Sequence, residues 1–134
     1  MAANLPEFER AGGLQTSDCE TGDQWDAPFG WAPLQLLVVQ GLRRYGFNTD
    51  ADRISIKFPS MLLRDFAARQ TIDEKYNVVT GRSDISSELK FGYTTNEVGF
   101  GWTNAVFLVL YDELSFSGKQ RLADAWTVLS SSGE

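Results

Sequence analysis

Histidine is absent from this 134-residue sequence, and cysteine occurs once, at Cys19. Without histidine the chain cannot by itself build a Ser-His-Asp or Cys-His catalytic pair, and most zinc sites are closed to it. A lone cysteine forms no disulfide within the chain. Cys19 also sits between Asp18 and Glu20, an anionic setting that raises a thiol's pKa and argues against a reactive nucleophile. No apolar run approaches the ~20 residues of a membrane span. The opening stretch, MAANLPEFERAGG, carries charges where an export signal needs an apolar core, so a cytoplasmic protein is the first expectation. Positive charge is in deficit as well. A formal charge of −6 and a pI near 4.6 disfavour nucleic acid and anionic membranes as partners. No glycine-rich phosphate loop with its lysine and no HExxH pattern occurs. Neither a cofactor nor a metal is expected.

What is present is apolar and aromatic. Hydrophobic residues make up 43% of the chain, with four Trp, four Tyr and nine Phe, enough for one domain with its own core. The densest stretch is QWDAPFGWAPLQLL at 24–37. Pro28, Gly30 and Pro33 should hold it as a set loop, because proline fixes φ and glycine relaxes it. A rigid loop that offers tryptophan faces beside a carboxylate, Asp26, suits a sugar-binding cleft. Turn-capping by Asp26 is the competing reading.

The remaining elements follow from periodicity. Residues 1–23 read as irregular and wrapped over the surface. A first helix should run from Pro33, suited to an opening helical position, to the cap at Gly46. A second should cover 50–70 with Ile54, Phe58, Met61, Leu62 and Phe66 in one stripe; Pro59 inside it should kink or divide it. From 71 to 101 the helical period is lost, and Tyr76, Val78, Val79, Phe91 and Tyr93 lean towards strand. Such a long irregular segment points to function or to disorder. A third helix, capped by Thr103 and apolar nearly all round, should be deeply buried. A short fourth spans 119–129, and 130–134 forms a frayed tail. Helices joined by long aromatic loops make an all-α chain, suited to a barrel or solenoid of helical hairpins.

With no histidine, acid–base chemistry falls to carboxylates. If the segment around Glu74 is extended, Ile72, Glu74 and Tyr76 share one face while Asp73 and Lys75 share the other, which turns Glu74 inward. The competing reading is a solvated DEK turn. Glu97 precedes GFGWTN, where Gly99 and Gly101 permit a tight backbone around Phe100 and Trp102.

Together these residues resemble the trehalases, glycoside hydrolases built as an (α/α)6 barrel. QWDAPFGWAP at 24–33 is similar to the family's second signature. EKYNVV at 74–79 resembles its glutamate-containing segment, and GFGWTNAV at 99–106 its C-terminal motif. All three stand in the family's order. The resemblance implies hydrolysis of α,α-trehalose to two glucose molecules with inversion, in which two carboxyl groups roughly 6.5–9.5 Å apart act as acid and base. Carried over by position, Glu74 is the general base, a role that needs it ionised and supported by donors. Trp25 becomes a wall of the sugar site, Gln24 and Asp26 polar contacts or loop support, and Phe100 and Trp102 the other wall. The family's PGGRF and SGWD segments, the latter with the general acid, do not occur here. The chain therefore resembles the C-terminal part of a trehalase barrel, its partner being the missing N-terminal part. The family's substrate glutamate before GFGWTN has no clear counterpart, and Tyr93 or Glu97 is the candidate to replace it. A truncated, inert or weakly sugar-binding remnant is the alternative reading, and an (α/α)-barrel glycosidase for another disaccharide a third.

Overall fold

Two long helices carry the packing. In the computed structural model, which describes residues 4–90 and 95–131 and only the backbone of 128–131, α2 spans Ala32–Arg44 and α3 spans Asn48–Arg69. The turn between them closes with Phe47 N–H donating to the Leu42 carbonyl at 2.9 Å, and Gly46 takes a φ of +83°. That is the expected role of Gly46, since a left-handed residue lets the last carbonyls of a helix find donors. The first helix starts one residue before Pro33, at Ala32.

Helix α3 is the centre of the bundle and packs on α2, on α4 (Gly101–Asp112) and on α5 (Phe116–Ser131). Its buried stripe, Ile54, Phe58, Met61 and Leu62, joins Val39, Leu42, Val106 and Leu110 in the main core. Pro59 does not divide α3, so of the two expected outcomes, a kink or a division, the second does not occur. An internal proline costs about 3 kcal/mol, and four almost fully buried apolar side chains flank this one, each contributing about 1.5–3 kcal/mol of burial. The helix ends at Gln70, whose φ of 60° is unusual for a residue with a side chain. Its side-chain amide donates to the carbonyls of Phe66 and Ala67, so the residue supplies its own cap.

The N-terminal stretch holds more order than an irregular surface wrap. Leu5–Phe8 form a helical turn, α1, followed by the antiparallel strands β1 (Glu9–Arg10) and β2 (Gly13–Leu14). Gln35 accounts for this. Its buried amide accepts from Leu14 N at 2.8 Å and donates to Leu14 O at 2.6 Å, acting as a further strand for β2. Gly12 docks by donating to the Val78 carbonyl at 2.8 Å, where an added Cβ would lie 2.4 Å from Met61 Sδ.

A second antiparallel pair joins distant segments: β3 (Phe29–Trp31) and β4 (Lys75–Asn77), with Trp31 opposite Lys75. The β-leaning composition at Tyr76 thus marks a real strand, whereas Phe91 and Tyr93 lie outside the described residues. The expected alternation fails: Asp73, Glu74, Lys75 and Tyr76 are all buried, because β3, α4 and the loop at 95–98 cover the segment from several sides.

Helix α4 is also less enclosed than its composition suggests. Thr103, Val106 and Leu110 are buried, but Leu108 is 64% and Tyr111 41% exposed. Only one side of α4 meets α2 and α3, and the opposite apolar side faces outward. Thr103 does not cap the helix; its hydroxyl donates to the Asp73 carbonyl at 2.9 Å. The last helix begins at Phe116 and continues through 130–131, where a frayed tail is expected; residues 132–134 lie outside the described residues.

Ionic contacts tie β1 to α3. Glu9 accepts from Arg53 at 2.9 Å and pairs with Lys57 at 2.6 Å. The Arg53 guanidinium, against the opposing effect of burial and with help from Lys57, holds the Glu9 carboxyl down at about 2 from 4.5. A carboxylate lowered on folding stabilises the native state above its unfolded value and loses that contribution as pH falls from 4.5 towards 2. Arg53 is 40% exposed, so solvent screening limits the effect to about 1 kcal/mol. Glu9→Gln is therefore expected to lower unfolding stability by about that much at pH 7, with the difference from the parent closing between pH 4.5 and pH 2; a gap that persists at pH 2 would refute the assignment.

Candidate active site

The tryptophan loop and the glutamate segment meet at the β3/β4 pair. Trp31, opposite Lys75, is 1% exposed, and its indole N–H donates to the Gln24 carbonyl at 2.8 Å. Trp25 lies parallel on Trp31, with ring centroids 3.8 Å apart and planes 4° from parallel, and is 46% exposed. Trp102 meets Trp31 edge-on at 5.6 Å, and Phe100 tilts onto Trp102 at 4.6 Å. Four of the expected site residues, Trp25, Phe100, Trp102 and Gln24, are thus joined through Trp31 in one aromatic assembly. Gln24 is buried, and its side-chain carbonyl oxygen has no hydrogen-bond partner among the described residues.

Glu74 lies against this assembly and is 2% exposed. Its carbonyl accepts from Trp102 Nε1 and from the Thr103 hydroxyl, both at 3.4 Å, while Thr103 bonds Asp73 more closely. Gly99 N donates to Ile72 O at 2.6 Å, and Val98 bridges Asp73. The GFGWTN segment therefore clamps the backbone on both sides of the glutamate. On the side chain, Oε2 is 2.8 Å from Lys75 Nζ.

Asp26 has a different part. Its oxygens take the hydroxyls of Ser17, at 3.1 Å, and of Thr21, while its backbone carbonyl accepts from Phe29 N. These bonds fix the loop between 17 and 29, the turn-capping alternative named above. Glu97 is exposed and has no hydrogen bond or ion pair among the described residues; Tyr93 lies outside them. Cys19 is exposed, and its contact with the Asp18 carboxylate pushes the thiol upward, in keeping with an inert cysteine. Among the described residues no cluster of His, Cys, Asp and Glu could hold a metal ion, and no helix is long and apolar enough to cross a membrane.

Two residues escape sequence reasoning. Lys75, which alternation turns outward, is fully buried. Asn96 grips it, accepting from Lys75 N at 3.1 Å and donating to Lys75 O at 2.9 Å and Ser83 O at 2.7 Å. The available signal is a lysine adjacent to the candidate base in a run that continues into Tyr76 and Val78.

A family model described as Trehalase matches residues 2–115. The chain belongs to the trehalase family. It is 43% identical over 101 residues to a periplasmic trehalase of Xanthomonas oryzae pv. oryzae, covering 75% of this chain and 17% of that protein. It is 37% identical over 112 residues to one of Citrobacter koseri, covering 83% and 19%. Neutral trehalase Nth1 from Saccharomyces cerevisiae superposes with a TM-score of 0.67 at 29% identity, over 90% of this chain and 21% of that one. The predominantly helical fold is thus shared with part of a trehalase barrel. The chain spans less than a fifth of the curated trehalases it matches. Their names overturn the cytoplasmic expectation and point to the periplasm; a charged opening stretch carries no weight in a chain that matches so little of its relatives' length.

Trp25→Ala is expected to change the near-ultraviolet circular dichroism, because it removes the stacked partner of Trp31, while shifting the melting temperature little, since nearly half of Trp25 is exposed; an unchanged spectrum would refute the stack.

Proposed function

We propose that these residues form the general-base half of a site that hydrolyses α,α-trehalose to two glucose molecules with inversion, within a longer trehalase of the periplasm. Glu74 is the base. It deprotonates the water that attacks one anomeric carbon, while an aspartate from the rest of the barrel protonates the glycosidic oxygen from the opposite side. The observation that carries this reading is the placement of a buried carboxylate, clamped on its backbone by Trp102 and Thr103, against an aromatic assembly with one exposed tryptophan face. An exposed indole face suits the C–H face of a glucose ring. Trp25 supplies that platform, Phe100 and Trp102 the opposite wall, and the unpartnered Gln24 oxygen an acceptor for a sugar hydroxyl. Asp26 sets the loop. Tyr93 or Glu97 takes the place of the family's substrate glutamate at the rim.

Membership of the trehalase family supports the substrate, and the open surface supports the dependence on further chain. Leu37 is 64% exposed and borders a 570 Å³ apolar groove lined by Leu5, Phe8, Leu34 and Val38. With the outward side of α4, this groove is a face for neighbouring barrel helices.

In the full-length protein Glu74→Gln is expected to lower kcat by about 10²–10⁴-fold, the scale of general-base catalysis; near-normal turnover would remove Glu74 from the role. The isolated 134-residue chain is expected to release no glucose from trehalose, because one carboxyl group cannot serve both proton transfers, and measurable turnover would refute the division of the site. A gene with no in-frame PGGRF and SGWD segments upstream would instead favour the truncated, non-catalytic remnant.

A further inference from the structure

Lys75 is 0% exposed. An ammonium taken fully out of water loses several kcal/mol of solvation, and apolar residues in place of a buried ion pair are often neutral or stabilising. Stability alone therefore gives no reason for a lysine here. Its surroundings give a geometric one. Nζ is 2.8 Å from Glu74 Oε2, donates to the Thr95 carbonyl at 3.0 Å and stands 5.1 Å from the centroid of the Trp31 ring. The backbone of Lys75 is held as firmly, in the ladder opposite Trp31 and by both ends of the Asn96 amide. The ammonium is thus a fixed point between the aromatic wall and the candidate base.

We propose that Lys75 is a positioning residue for Glu74: it anchors Oε2 and ties the orientation of the carboxylate to the Trp25/Trp31 wall. This rests on Glu74 being the general base, and it adds how that base is held. Anchoring one oxygen fixes the rotation that sets where the other points, and a general base needs that fixed direction. The neighbouring described groups have other partners or carry no charge. Asp73 is buried on the same segment and accepts from Thr71, and the Tyr76 hydroxyl takes Asp73 N–H. Trp31 from β3, and Trp102 and Thr103 from α4, do not titrate.

The test is made in the full-length protein, with kcat and KM for trehalose measured for the parent, Lys75→Met, Lys75→Gln, Lys75→Arg and Glu74→Gln. Lys75→Met is expected to lower kcat by about 10–100-fold, the cost of a misplaced catalytic group, with KM within about twofold. Lys75→Gln keeps a donor to the carboxylate and should lose less kcat than Lys75→Met, again with KM little changed, which serves the test if the methionine variant does not fold. Lys75→Arg keeps a charged donor and should retain the most turnover of the three. Adding Lys75→Met to Glu74→Gln should cost no further turnover, because the lysine acts through the glutamate. A kcat near the parent's in Lys75→Met or Lys75→Gln, beside an inactive Glu74→Gln, overturns the positioning role and leaves the base assignment standing. Near-normal turnover in Glu74→Gln removes both.

Discussion

The three-rung ladder between β3 and β4 joins the two segments that carry chemistry, and the rest of the local structure follows from it. Phe29, Gly30 and Trp31 pair with Asn77, Tyr76 and Lys75, and Val78 N extends the pairing by donating to Pro28 O at 3.0 Å. The middle rung requires glycine. A Cβ on Gly30 would stand 2.4 Å from Val78 Cγ1 and 2.7 Å from the Leu14 carbonyl, so any larger residue would part β3 from β4 or from the N-terminal hairpin. Because the ladder is antiparallel and Trp31 faces Lys75, the tryptophan loop and the glutamate segment have a single register. A one-residue slip would turn Trp31 to the opposite face.

Around that ladder, polar groups are arranged so that backbone at the bundle's edge is satisfied without water. Gln35 completes Leu14, Asn96 completes Lys75 and Ser83, and Asn77 Oδ1 accepts from Val79 and Thr80 while its amide donates to Glu88 at 2.8 Å. Asp65 on α3 closes the same region by accepting from Ser83 Oγ at 2.6 Å. Each is a side chain standing in for a strand or turn that the helical fold does not provide. Each is buried or partly so, where an unmet backbone group costs about 1–3 kcal/mol. The long segment 71–100 therefore has definite structure where it is described, though it has little helix or strand.

The parts of this arrangement that were legible in the sequence depend on neighbours close in the chain. Gly46 and the start near Pro33 follow from local φ preferences; the alternation that turns Glu74 inward does not hold, since Asp73 and Lys75 on either side of it are buried as well. Lys75 was illegible because its burial is decided by Trp31 and Asn96, which are distant in sequence, whereas a local reading of DEK finds only polarity. Pro59 is legible only in part: its penalty is local, and the stripe that keeps the helix undivided is a tertiary property. The exposure of α4 is the reverse case. NAVFLVLY is apolar enough for a fully enclosed helix, but enclosure needs neighbours on every side, and α2 and α3 cover one. Motif order was the stronger guide to the site, since it carried Glu74, Trp25 and Trp102 to one place with no statement of how they touch.

The contrast between Glu74 and the open faces bears on how the proposed reaction would divide along the polypeptide. A general base must be held within a fraction of an ångström before substrate arrives, and preorganisation is most secure when the supporting groups belong to the same rigid unit. For Glu74 the described supports, Lys75, Trp102 and Thr103, lie in this chain, and none is borrowed from a surface left uncovered. The exposed side of α4 is mainly apolar, with Asp112 at its end, and the groove beside Leu37 is lined mostly by apolar side chains. Covering them would add stability and bring up the rest of the barrel, but it would not need to rebuild the base. Assembly of the barrel and orientation of Glu74 are then separable, so substitutions on the open faces should act on folding and those around Lys75 on turnover.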